Sequence, residues 1–147
     1  MPDTQGQDVP LSDLDRRQLL ELARRSVREA AAGGKPSDFP SGGVMDRPGG
    51  AFVTLKRASD DSLRGCIGHF TGFGRLGETV SRMARAAAVE DPRFPPVAPV
   101  EVGSLRIEIS LLSPMRSADP ADVVPGRHGL YVRSGPFAGT LLPQVAV

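Results

Sequence analysis

Four prolines fall within nine residues at positions 91–99 (DPRFPPVAP), and this segment divides what the chain can become. Proline lacks an amide proton and its ring clashes with the preceding helical turn, so the segment is neither helix nor central strand. Before it, Leu76, Val80, Met83, Ala84 and Ala87 recur at helical spacing, one side being nearly all alanine and suited to close packing on a sheet. After it, residues 104–112 alternate without interruption. Leu105, Ile107, Ile109 and Leu111 take one face, leaving Arg106, Glu108 and Ser110 on the other, the pattern of a half-buried strand. The bend therefore joins a helix to a strand and fixes where Arg93 and Phe94 point.

Upstream, the spacing predicts a first helix. Ser12 is an N-cap with Asp15 three residues on, and Leu19, Leu20, Ala23, Val27, Ala30 and Ala31 follow with helical period until Gly33 and Gly34 stop it. Its arginines at 16, 17, 24, 25 and 28 read as a solvated face, because Asp13 and Glu21 precede Arg17 and Arg25 by four residues. Residues 1–10 read as a flexible tail. Residues 35–50 hold three prolines and four glycines and form a loop. A strand at 51–57, turn residues at 59–62 and a return strand at 63–68 make an antiparallel hairpin. Residues 114–127 read as a second loop and 128–133 as a further strand, with 140–142 pairing back and Pro143 suited to the first position of a helix.

Composition weighs against several classes. The chain has 147 residues, 39% apolar and 24% charged, enough for one domain with a core of its own. A net charge of +1 and arginines interspersed with acids leave no basic stripe, so there is no DNA footprint. No apolar run approaches the roughly 18 residues of a membrane span. One cysteine forms no intrachain disulfide and the polar amino terminus is not a secretion signal, so the expected compartment is cytoplasmic.

The chemistry concentrates in LRGCIGHF at 63–70, which carries that cysteine and one of the two histidines. Strand alternation places Arg64, Cys66 and Gly68 on one face, with Leu63, Gly65 and Ile67 on the other. A fixed cation favours thiolate over thiol, and flanking glycines let a backbone or ligand approach the sulfur. Gly65, Gly68, Gly72 and Gly74 follow neither the Walker nor the dinucleotide pattern and read as turn residues.

Together, AFVTLKR, LRGCIG, DPRFPPV, IEISLLSP, HGLYV and GTLLPQVAV resemble the AMMECR-type domain, in the family's order, from about residue 13 to the last. The resemblance implies an α+β fold over 11–147, an antiparallel sheet with packed helices and a smaller subdomain forming a cleft. It also implies a component of the AmmeMemoRadiSam set, found beside Memo-like and radical-SAM proteins, and hence a modification pathway acting on a small molecule or RNA. His69 stands where the family usually has threonine, and Thr140 where it usually has leucine. Most members continue into a helical segment, commonly with a tryptophan, which this chain is expected to lack.

Two functional readings stand. In the first, Cys66 is a nucleophile, His128 its base or acid and Glu108 the carboxylate that orients the imidazole. In the second, the chain is a non-catalytic module that recognises a partner protein, nucleotide or RNA through Arg64, Arg93, Tyr131 and the glycines Gly65 and Gly68, and Cys66 merely packs. No cofactor is implied. A zinc site from Cys66, His69, His128 and Glu108 has suitable ligand types but lacks paired-ligand spacing, so no metal is expected, and His69 reads as a surface residue at the hairpin end.

Overall fold

The computed structural model describes residues 10–112 and 121, and the strands Leu130–Ser134 and Phe137–Leu141 as backbone. The chain divides into two compact units, Met1–Met115 and Arg116–Val147.

In the first unit, helix α1 (Asp13–Ala31) opens with a complete capping box between Ser12 and Asp15. It ends at Gly33, whose φ of +72° reverses the chain where a side chain would be strained. Its buried stripe is Leu19, Leu22, Ala23, Ser26, Val27 and Ala30. Leu22 thus takes the place expected of Leu20, which is 41% exposed because it lies one residue, about 100° of helix rotation, from Leu19. The arginine face also differs from the solvated one expected. Arg24 donates to the carbonyls of Val102 and Leu105, at 3.1 and 2.9 Å, and Arg25 to that of Asp38 at 3.1 Å. These bonds tie α1 to the start of a distant strand and to the loop that follows the helix.

Three strands form the sheet. They are β1 (Gly50–Arg57), β2 (Leu63–His69) and β3 (Leu105–Leu112), in the order β2-β1-β3 and antiparallel throughout. Helix α2 (Leu76–Val89) packs on β1 and β2, and α1 packs on α2. The helix-facing side carries the core, in which Ala51, Val53 and Leu55 of β1 and Leu105 and Ile107 of β3 form one buried cluster with Val80, Ala84 and Ala87 of α2 and the buried apolar residues of α1. Fully burying each larger aliphatic side chain contributes about 1.5–3 kcal/mol. Between the two helices, the buried hydroxyls of Ser26 and Ser81 lie 3.1 Å apart.

The alanine side of α2 allows a close approach that one glycine completes. A Cβ on Gly65 would lie 2.2 Å from the carbonyl oxygen of Ala87, a position no side chain can share. Gly68 meets a different obstacle, with a Cβ at 2.2 Å from the Phe52 ring. Gly65 is therefore required by a backbone contact, while a side chain at 68 would have to displace the Phe52 ring.

The described part of the second unit is an antiparallel hairpin of β4 (Leu130–Ser134) and β5 (Phe137–Leu141), with Leu130 opposite Leu141 and Tyr131 opposite Thr140. These described strands overlap those expected at 128–133 and 140–142. His128, most of the 114–127 loop, the helix expected at Pro143 and residues 1–9 lie outside the described residues. Among the described residues no helix is long and apolar enough to cross a membrane. The fold is α+β.

Replacing Gly65 by alanine forces α2 and β2 apart, so urea denaturation of Gly65→Ala should show a loss of about 1–3 kcal/mol. An unchanged midpoint would mean that the helix and strand can separate freely at Ala87.

Candidate functional site at the edge of the sheet

Among the described residues strand β2 is at the edge of its sheet, so half of its backbone groups have no sheet partner there. At Cys66 two of them are taken up by the proline-rich bend. The Cys66 N–H donates to Asp91 Oδ2 at 3.0 Å, and the Cys66 carbonyl accepts from Arg93 Nη2 at 3.4 Å. Asp91 and Arg93 are joined side by side, Arg93 Nε reaching Oδ1 at 3.0 Å and Nη2 reaching Oδ2 at 2.8 Å. The Arg93 amide adds a third bond to Oδ1 at 3.1 Å. DPRFPP thus presents a donor and an acceptor to the open edge, much as another strand would, for one residue.

The hydrogen bond from Arg93 pulls the Asp91 carboxyl far below the usual carboxylate range, against burial, which pushes it up, and with help from the Cys66 amide. Asp91 in turn drives the Arg93 guanidinium further up.

The thiol itself points to the face of the sheet away from the helices. Cys66 is partly buried and lies opposite Thr54, whose Oγ1 is 3.2 Å from Sγ. Thr54 is opposite Glu108 on its other side. Cys66, Thr54 and Glu108 therefore stand in one row across the sheet and share a face. The outer two backbones are about 10 Å apart, with Thr54 between them. The Glu108 carboxylate is engaged by Lys56 at 3.4 Å and Arg106 at 3.6 Å.

Arg64 does not follow the alternation expected of it. Leu55 pairs with Gly65 and Lys56 with Leu63, so a bulge leaves Arg64 as the extra residue of β2. Its buried guanidinium lies 3.0 Å from Glu101, in the short 3-10 turn Pro99–Ser104 that precedes β3. The cation close to Cys66 is Arg93, from the bend.

Of the residues singled out in the sequence, the fold brings Cys66 together with Arg93 and aligns it with Glu108. It assigns Gly65 and Gly68 to packing, turns Arg64 to another partner, and His128 lies outside the described residues. His69 accepts from the Gly72 amide at 3.0 Å and stacks on Phe73 with ring centroids 4.5 Å apart, which holds the turn after β2. Among the described residues no three histidine, cysteine, aspartate or glutamate side chains are grouped to hold a metal. Sequence reasoning missed Asp91 and Thr54. Asp91 left a signal, a carboxylate two residues before an arginine in a stiff bend, while Thr54 looked like any polar residue of an alternating strand.

Removing the Asp91 carboxylate frees Arg93 and leaves the Cys66 amide without its acceptor, so Asp91→Ala should lose about 2–3 kcal/mol. The folded pKa of Asp91 lies below its unfolded value. The stability it brings is complete above the unfolded carboxylate range and falls away in strong acid as pH approaches the folded pKa. Acid titration of stability should be flatter in Asp91→Ala than in the parent, and an identical acid limb would dismiss the linkage.

Residues 20–147 match the AMMECR1 family. A protein from Aeropyrum pernix is 45% identical over 145 residues, covering 93% of this chain and 63% of the relative. One from Methanopyrus kandleri is 41% identical, covering 88% of this chain and 67% of the relative. The chain thus spans about two thirds of the length of these relatives. Among solved structures, the uncharacterized protein PH0010 from Pyrococcus horikoshii superposes with a TM-score of 0.78 at 39% identity, over 86% of this chain and 68% of that one. A match over most of the chain, in both sequence and structure, means that this protein belongs to the AMMECR1 family.

Proposed function

We propose that this chain is a thiol-dependent component of a modification pathway, with Cys66 as the reacting group on the face of the sheet away from the helices. The observation that supports this reading is the way the bend holds Cys66. Both of its outward backbone groups are bonded to the Asp91–Arg93 pair, while its side chain stays partly open. A nucleophile gains from being fixed in place while its reacting atom remains reachable. Arg93 is the cation that reaches the Cys66 backbone, where strand alternation had placed Arg64. The sequence assigns His128 the part of base or acid and Glu108 that of the orienting carboxylate; Glu108 stands in the same row as the thiol and is paired with Lys56 and Arg106.

The pathway itself rests on family membership. The companions proposed with it are Memo-like and radical-SAM proteins, the proposed substrate is a small molecule or RNA, and the proposed compartment is a reducing cytoplasm in which a lone thiol stays free.

The second reading, a non-catalytic recognition module, has its own support. The group beside Sγ is the Thr54 hydroxyl, which is no base, and Gly65, Gly68, Asp91 and Arg93 all have structural work independent of any reaction.

Alkylation by iodoacetamide at neutral pH separates the two. A nucleophile should react faster than free cysteine in the native protein and slow about tenfold in His128→Ala. Cysteine that stays unreactive until the protein is denatured would dismiss the thiol reading and leave recognition, which Cys66→Ser should then retain and Arg93→Ala lose.

A further inference from the structure

The bulge in β2 separates the arginine of LRGCIG from its cysteine. Arg64 is only 3% exposed, and it lines a pocket of about 110 Å³ together with Arg57, Ser59, Glu101, Ser104 and Leu105. This pocket lies where the end of β1, the turn after it and the 3-10 turn before β3 come together. Arg64 Nη2 is bonded to Glu101 Oε2 at 3.0 Å. Its Nη1 is buried with no hydrogen-bond partner among the described residues.

A guanidinium carries five N–H donors, and a buried cationic donor without an acceptor is uncommon in folded proteins. Arg57 supplies a second guanidinium to the same pocket, held in place by its Nη1, which donates to Ser62 Oγ at 3.1 Å and to the Leu63 carbonyl at 3.0 Å. Glu101 is the one acid in the lining, so positive charge prevails. Its Oε2 is already shared between Arg64 and the Ala98 amide, the latter at 3.3 Å.

We propose that this pocket binds a small oxyanion, a phosphate or carboxylate group, that accepts from Arg64 Nη1 and from Arg57. Planar guanidinium forks match both groups. The volume sets the scale, because drug-sized ligands occupy about 300–1,000 Å³ and only a single charged group enters here. Any larger ligand keeps its remaining atoms outside the pocket. The site is independent of Cys66 and of the function proposed for it.

The test is a titration of the ¹⁵N-labelled chain with inorganic phosphate and, separately, with acetate, at constant ionic strength made up with chloride. Saturable shifts confined to the backbone amides of 57–64 and 101–105 are expected with at least one anion. Phosphate alone assigns the site to phosphate groups, acetate alone to carboxylates, and both to oxyanions in general. Arg57→Gln, at an exposed position that leaves the fold in place, should weaken the response about fivefold or more. Arg64→Gln should abolish it. No saturable shift with either anion, or an undiminished response in Arg57→Gln, overturns the proposal.

Discussion

An edge strand has to be finished by something, and here a salt-bridged pair from a proline-rich bend finishes β2 at the residue that carries the thiol. Asp91 is the centre of that arrangement. It accepts from the Cys66 amide, from the Arg93 amide and twice from the Arg93 side chain, so a buried carboxylate is satisfied on both oxygens. A charge that far from water is tolerated only when paired and hydrogen-bonded. The prolines on either side of Arg93 stiffen the bend and limit the conformations lost when it docks. Helix α2, the bend and β2 are thus locked together, and the Val97 amide bonds the Ala88 carbonyl at 2.8 Å to bring the chain back along the helix end.

That lock joins LRGCIG to DPRFPP in space. Gly65 admits the Ala87 carbonyl, Gly68 admits the Phe52 ring, and the bend can reach the Cys66 backbone only when β2 lies that close to α2. Fixing the backbone in this way leaves the Cys66 side chain on the opposite face, beside Thr54 and in line with Glu108. Gly65 thus meets the helix while Cys66 and Gly68 take the other face of the strand. The bulge adds a third role, since it buries Arg64 against Glu101 at the far end of the strand.

Much of the fold was legible because its signals are local. The capping box at Ser12, the stop at Gly33, the alternation of β3 and the hairpin of β1 and β2 depend on neighbours in sequence. The errors arose where a residue's surroundings come from elsewhere. Leu20 and Leu22 differ only in which side of α1 meets α2, and helical period alone does not choose between adjacent leucines. The α1 arginines have acids at suitable spacing along the helix, yet Arg24 finds carbonyls 78 and 81 residues away.

The residue order by itself determined the element types, the α+β class and the stretch around Cys66, because periodicity, caps and proline act through the local backbone. Only the tertiary structure decided which cation serves which group. Alternation put Arg64 with Cys66, and a single extra residue in the pairing of β1 with β2 sent it to Glu101. Arg93, twenty-seven residues from the cysteine, came to its carbonyl instead. A bulge reflects the competition between strand pairing and the packing of β2 on α2, and that balance is not set until both partners are in place.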